Sequence, residues 1–201
     1  MFKDCTNLTV VPDLSSVTTL ADYCFGYMFA GCSKLSDVPS LSNLTTLASG
    51  CYYYMFADCI SLKTAPALPA TTLKSTCYGG MFKGCTSLRE PPVLNATTVE
   101  SSSYYSMFSG CTSLTSMPNL PATTVKTYSY SYMFENCESL VRIVDELPAT
   151  TLDTYCYGHM FEGCKSITKA PRILGQMAGN CFENMFAYCT ALEEVPYIAA
   201  T

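Results

Sequence analysis

Hydrophobic positions along this chain recur in blocks, and each block opens with a Met-Phe pair. Consecutive Met residues of these pairs lie 25 to 27 residues apart. The pairs begin at Met1, Met28, Met55, Met81, Met107, Met133, Met160 and Met185. A Cys follows each Met after four residues, and a Leu or Ile follows after seven. A fixed period of this length predicts a solenoid, in which each repeat buries its apolar face against its neighbours.

An apolar stripe extends from eight residues before the repeat Met to four residues after it, and this stripe predicts a short helix. In the fourth repeat the stripe consists of Leu73, Cys77, Tyr78, Met81, Phe82 and Cys85. These residues follow one face of an α-helix rather than the alternation of a strand. Gly84 stands where other repeats hold mostly Gly, Asn or Asp, which tolerate the left-handed conformation that ends a helix. The pattern therefore predicts a helix of about three turns.

A short extended segment follows, because apolar residues continue from Leu88 to a proline at Pro92, whose ring cannot donate to a ladder. Strands stack about 4.8 Å apart, whereas packed helices need about 8–10 Å. We therefore expect a curved α/β solenoid of about eight 26-residue repeats, with short parallel strands on the concave side and short helices on the convex side. The whole chain, 1–201, is expected to form one such array. Neither end supplies the polar capping repeat that solenoids need, so we expect either a fragment of a longer chain or a chain whose ends are covered by a partner.

Composition narrows the function. Only 13% of residues are charged, and the net charge is −5. Nucleic-acid binding is not expected, because it needs a basic patch that neutralises phosphates. No apolar run reaches the length of about 18 residues that a membrane span requires.

The thirteen cysteines occupy two positions of the repeat, four residues before or four residues after the Met. Cys24 and Cys32 lie about 12 Å apart along a helix, beyond the distance of about 7 Å that a disulfide spans. Ser103 and Ser129 replace Cys at the first position, which indicates a requirement for size rather than pairing. Buried reduced thiols are therefore favoured over disulfides and over a metal site, which would need clustered ligands.

Catalytic chemistry finds no support. The single histidine, His159, stands where other repeats hold Gly80, Ser106 or Tyr132, and a solvated surface side chain is expected there. Adjacent carboxylates such as Glu193 and Glu194 would point to opposite faces of a strand. The sequence therefore predicts no enzyme, no cofactor and no metal.

The run from Met81 to Leu88, extended by the Pro-Ala-Thr-Thr-Leu segment, resembles the BspA-type leucine-rich repeat of bacterial surface proteins. The resemblance covers the whole chain. It implies a surface-displayed or secreted, non-enzymatic adhesion module that binds a protein or glycan on a host or microbial surface.

Repeats differ from one another at two sets of positions, and these are the candidate binding residues. One set follows the repeat Leu and includes Lys63, Arg89, Glu90, Arg142 and Lys169. The other set, predicted on the outer helix face, includes Tyr54, Tyr105 and Tyr132. Tyrosine offers large amphipathic contact area at low entropic cost. The alternative explanation for the variation in both sets is that solvent-exposed positions change freely because no function constrains them.

Two functions remain open. The first is the recognition module, with a slight preference for the strand side as its binding face. The second is a structural spacer or stalk in a fibre, surface layer or virion appendage, joined by end-to-end self-association.

Overall fold

The computed structural model describes residues 1–199, in which successive repeats stack as coils of one continuous array. These residues contain no helix; they contain five short strands, β1 (Thr124–Val125), β2 (Glu146–Leu147), β3 (Thr151–Leu152), β4 (Arg172–Leu174) and β5 (Ile198–Ala199). The predicted helix in each repeat, and with it the α/β class, is wrong.

A ribbon of turns replaces the predicted helix, and residues 48–59 show its hydrogen bonding. Every second N–H donates three residues back, as from Met55 to Tyr52 O at 3.0 Å. The N–H groups between them donate to the next repeat, as from Tyr54 to Gly79 O at 2.8 Å and from Phe56 to Met81 O at 2.9 Å. We call this part of each repeat the turn ribbon; it extends from seven residues before the Met to four after it. Its backbone donors are shared between its own turns and the neighbouring repeat.

Positive φ at every fourth residue explains why no helix forms. In the fifth repeat the φ angles of Ser102, Ser106 and Gly110 are 58°, 52° and 75°. A right-handed helix needs negative φ throughout, so each of these residues interrupts it. The third of these positions is the one held mostly by Gly, Asn or Asp. Its left-handed backbone was predicted correctly, but it belongs to a continuing ribbon rather than to the end of a helix.

Short parallel ladders join the repeats outside the turn ribbon. β1 pairs with β3, β2 with β4, and β4 with β5, each with a register of one repeat. Isolated parallel bridges continue the pattern at Leu68–Leu94 and Ser116–Arg142. Strands β1 to β5 lie C-terminal to the proline position of their repeats. The sequence predicted one strand that ends at this proline, but the Leu-Pro-Ala-Thr-Thr segment also pairs with its neighbour. Parallel strands are confirmed, but their position is only partly correct.

Equivalent apolar side chains form columns through the core. The Phe of each Met-Phe pair stacks on the Phe of the next repeat, from Phe2 to Phe186, with ring centroids 5.4–5.8 Å apart. A second column extends from Phe25 through five tyrosines to Phe182 at 5.6–6.2 Å. Between the second and seventh repeats, the Phe, Cys and Leu or Ile of each motif are almost completely buried.

The predicted curvature loses its basis. The prediction assumed that helices on one side are spaced more widely than strands on the other. Instead, the turn ribbons of successive repeats are joined by backbone hydrogen bonds, and their aromatic rings are closer together than packed helices would be. Concave and convex sides are therefore not assigned.

One prediction concerns the last positive-φ position of the ribbon. Asp58 precedes Gly84 at this position, and a Cβ added to Gly84 would collide with Oδ1 of Asp58. A Cβ added to Gly110 would find Gly84 Cα at 3.6 Å, an ordinary contact. Asn tolerates the left-handed region, so Gly84→Asn tests space rather than φ. We expect it to lower the free energy of unfolding by about 1 kcal/mol more than Gly110→Asn does, as overpacking does.

Urea unfolding of both variants measures the difference. Adding Asp58→Gly to Gly84→Asn should recover most of the loss, since it removes the opposing side chain. Equal losses for the two Asn variants would contradict this account of the position.

Candidate interaction surface

The varied pair after the repeat Leu lies on an exposed edge of the stack, which we call the charged edge: Lys63, Arg89, Glu90, Arg142 and Lys169. The buried Leu between two outward-facing positions creates this edge. In the fourth repeat Leu88 is fully buried, while Ser87 and Arg89 on either side of it line one cavity. The structure thus places the charged candidates at the surface, on the segment that follows the repeat Leu or Ile.

Glu90 and Arg142 span two repeats through an ion pair. Arg142 Nη2 lies 2.8 Å from Glu90 Oε1, and both side chains are 62% exposed. Thr115 and Ser116, on the repeat between them, donate hydroxyl hydrogen bonds to Glu90 at 3.0 and 2.5 Å. The hydrogen bond from Ser116, followed by those from Thr115 and Arg142, holds the pKa of Glu90 below its ordinary value. Glu90 is therefore fixed as an ordered carboxylate.

A cavity of about 390 Å³ lies next to Arg142. Its lining includes Lys169 as well as Arg142, together with Val141 and Ile143. Lys169 pairs with Glu194 through a parallel backbone bridge. Two of the candidate cations thus face one partly apolar recess.

A second cavity, of about 400 Å³, is lined by Lys63, Ser87, Arg89 and Ser113. None of these four side chains forms a hydrogen bond or ion pair with any other residue of 1–199. Sequence reasoning selected Lys63 and Arg89 but missed the two serines. The signal was available, because residues on either side of a buried Leu face the same way.

The tyrosine candidates pack mainly against one another and against glycines. Tyr54 stacks on Tyr27 at 5.3 Å, and a Cβ at Gly80 would collide with its ring. Burial raises the pKa of Tyr54 to about 12. Tyr105 contacts Tyr132 edge-on at 5.6 Å. These rings are half-buried, which gives them a packing role that the sequence alone did not reveal.

His159 is held rather than solvated, so the prediction of a solvated side chain is wrong. Its ring stacks on Tyr132 at 4.3 Å, and Nδ1 lies 2.5 Å from Glu162 Oε2. Within the described part of the chain, no group of three His, Cys, Asp or Glu residues is placed to hold a metal ion.

All thirteen cysteines are free, and ten of them are buried. Cys5 and Cys24 are exposed, and Cys189 is half-buried. From the second repeat on, the thiol after each Met-Phe pair donates to the Phe carbonyl of the preceding repeat, as from Cys111 to Phe82 O at 3.1 Å. Burial of reduced thiols is confirmed for these ten, and the thiol hydrogen bond adds a directional link between repeats.

Comparison with models of known protein families identifies the repeat. A model of the BspA type leucine rich repeat region, in six copies, matches residues 1–130 and 130–199. The chain belongs to the BspA type leucine rich repeat family. No curated protein and no solved structure matches the chain.

The BspA type assignment confirms the family that the Met-Phe motif indicated. This is a family of repeat scaffolds that are generally surface-displayed or secreted and suited to protein interaction. The structure supplies what the family description does not, namely the positions of the side chains on the stack. Among residues 1–199, no helix has the length and apolar character needed to cross a bilayer.

Proposed function

We propose that the chain is a non-enzymatic recognition module, surface-displayed or secreted, that binds a protein or glycan partner through the charged edge. The observation that carries the proposal is the contrast between a nearly invariant core and unlike, exposed residues along this edge. Core positions repeat as Phe, Cys and Leu, whereas the edge presents the cations Lys63, Arg89, Arg142 and Lys169 in four of the repeats.

The polar arrangement supports recognition by charge and shape. The ion pair between Glu90 and Arg142 and its two hydroxyl donors order the centre of the edge before any partner arrives. A recess lies beside Arg142, and another is lined by Arg89. Preordered side chains reduce the entropy lost on binding. The edge therefore suits a partner with complementary polar groups better than the self-packed tyrosines do.

A binding screen tests the proposal. Purified extracellular proteins and glycans, both from hosts and from microbes, are presented to the soluble chain. Arg142→Ala with Lys169→Ala alters the edge, and Tyr105→Ala with Tyr132→Ala alters the aromatic set. We expect at least one specific partner whose affinity falls tenfold or more only in the edge variant, as for a lost charge-assisted contact. Loss only in the tyrosine variant, or the absence of any partner, would contradict the proposal.

The second candidate is a structural spacer that self-associates end to end. It is favoured by the direction of the inter-repeat hydrogen bonds, in which each turn ribbon donates to the following one, as from Phe108 N–H to Met133 O at 2.9 Å. Such a one-way ladder suits heterologous addition of further chains. Sedimentation at increasing concentration separates the candidates: a recognition module remains monomeric, and a spacer forms growing linear assemblies.

A further inference from the structure

The cavity between Lys63 and Arg89 gathers four hydrogen-bond donors, and no carboxylate lines it. Lys63 and Arg89 occupy the same position in adjacent repeats, and Ser87 and Ser113 stand two positions earlier in their own repeats. All four line one cavity of about 400 Å³. Lysine and arginine carry only donors, and a serine hydroxyl donates as well. The cavity is therefore chemically matched to an anionic acceptor.

Among residues 1–199, no carboxylate forms a salt bridge with these two cations. Of the four salt bridges among residues 1–199, none involves Lys63 or Arg89. The nearest carboxylate in the sequence, Glu90, is committed to Arg142, Thr115 and Ser116 on the following repeats. Of the other cations of the charged edge, Arg142 is paired with Glu90 at 2.8 Å, whereas Lys169 takes part in no salt bridge among residues 1–199. Lys63 and Arg89 are thus two cations without a salt bridge among residues 1–199 that line one cavity.

Other repeats do not reproduce the arrangement. At the position of Lys63 and Arg89, neighbouring repeats hold Ser36, Thr115 and Val141, so this is the one place where adjacent repeats both carry a cation directly after the repeat Leu or Ile. The chain as a whole carries a net charge of −5. General attraction of polyanions is therefore unfavourable, and an anion must be held by specific contacts at this cavity.

We propose that the cavity formed by Lys63, Arg89, Ser87 and Ser113 binds a carboxylate side chain, Asp or Glu, of a protein partner. Arg89 offers a planar fork that matches a carboxylate in two hydrogen bonds, and Lys63 adds a second charge. The two serines supply neutral donors to the remaining lone pairs. A protein is favoured over a glycan because the cavity lacks an aromatic platform for a sugar ring. This inference rests on the proposed function and specifies its ligand chemistry.

Titration of the chain with a short oligoglutamate peptide, with oligoglutamine of equal length as the neutral comparison, tests the inference. Binding is followed by NMR, through the Arg89 side-chain N–H and the Ser87 and Ser113 amides. We expect oligoglutamate alone to shift these signals, and Lys63→Thr with Arg89→Thr to weaken binding by about tenfold or more. Thr already occupies this position at Thr115, so the variant is expected to fold.

A control with the same change of charge isolates the cavity from net charge. Lys74→Thr with Lys126→Thr removes two exposed cations elsewhere and should leave the affinity within about twofold, since exposed charges at a distance are screened. Equal loss in both double variants, or no shift at the cavity, would overturn the inference. Binding of polygalacturonate without binding of oligoglutamate would also overturn it.

The outcomes separate this inference from the proposed function. One outcome is a partner that loses binding to the double variant of Arg142 and Lys169 but binds the double variant of Lys63 and Arg89 unchanged. That result would contradict carboxylate binding at the cavity and leave the recognition module standing. The absence of any partner in the binding screen would contradict the recognition module, whatever the oligoglutamate titration shows.

Discussion

We expect this chain to lose stability and unfold as the pH rises above about 9, because the unfolded chain then releases thiol protons that burial retains in the folded chain. Burial raises the pKa of Cys59 to about 12 from its ordinary value of 9.0. Burial also holds the pKa values of Cys85, Cys111 and Cys137 well above that value. In the unfolded chain these thiols titrate near their ordinary pKa. Between the two pKa values the folded chain therefore keeps protons that the unfolded chain releases.

The sign and size of the effect follow from that difference. The contribution of the buried thiols to the free energy of unfolding is fully present below pH 9.0, the ordinary thiol pKa. This contribution is lost as the pH rises toward the pKa values of the folded chain. Each fully shifted thiol removes about 1.4 kcal/mol per pH unit. Several thiols act together, so a typical stability of about 5–15 kcal/mol is exhausted between about pH 9 and 11. Buried tyrosines such as Tyr78 and Tyr104, whose pKa values burial also raises, add to the loss at higher pH.

Urea unfolding at a series of pH values, under reducing conditions, measures this slope. The control replaces Cys51, Cys77 and Cys156 by Ser, which already occupies the same position as Ser103 and Ser129. Burial raises the pKa of each of these three thiols. Their removal should reduce the slope by up to about 4 kcal/mol per pH unit. A wild-type chain whose stability is unchanged at pH 11, or a variant with the same slope, would contradict the account.

Replacing the central ring of the phenylalanine column destabilises the stack strongly. Phe108 is fully buried and stacks on Phe82 at 5.7 Å and on Phe134 at 5.6 Å. Phe108→Ala leaves a cavity between two repeats and removes both ring contacts. The expected loss is about 3–5 kcal/mol in the free energy of unfolding. Since each repeat is stabilised mainly by its neighbours, loss at this interface also lowers cooperativity between the two halves.

Equilibrium unfolding in urea, followed by circular dichroism, gives the loss directly. Val93 is 72% exposed, and Val93→Ala serves as the matched control, with an expected change within about 0.5 kcal/mol. A Phe108→Ala variant as stable as this control would show that the aromatic column does not hold the repeats together.

The sequence predicted which residues face inward but not how the backbone carries them there. Met81, Phe82, Cys85 and Leu88 are all fully buried, as their recurrence indicated. Recurrence at a fixed period reports the environment of a side chain, because each repeat meets the same neighbours. It does not distinguish between backbones that present the same residues.

The helix prediction failed because a spacing of four residues was interpreted as a helical face. Leu73, Cys77, Met81 and Cys85 lie four residues apart, and a helix of 3.6 residues per turn drifts steadily away from such a spacing. A ribbon with one positive φ in every four residues maintains it without drift. Gly80 and Gly84 lie at two successive positive-φ positions of that ribbon, so their spacing was the signal that the sequence offered.

The surface exposure of the charged candidates was predictable from the sequence, but their pairing was not. Variation among repeats selected Arg89, Glu90 and Arg142. It could not reveal that Glu90 reaches Arg142 across an intervening repeat, because side-chain directions at neighbouring positions depend on local turns. Ser87 and Ser113 were missed for a different reason: their place just before the repeat Leu was a usable signal, but they do not vary in the way that selected Lys63 and Arg89.

Scalar coupling across hydrogen bonds, measured by NMR, tests the turn ribbon most directly. The structure has the Ser106 N–H donate to Ser131 O in the next repeat at 2.9 Å, while Met107 N–H donates to Tyr104 O at 3.0 Å. The account predicts a coupling between the Ser106 nitrogen and the Ser131 carbonyl carbon. A coupling from Ser106 to the carbonyl of Ser102, as an α-helix requires, would contradict the turn ribbon and the stack built on it.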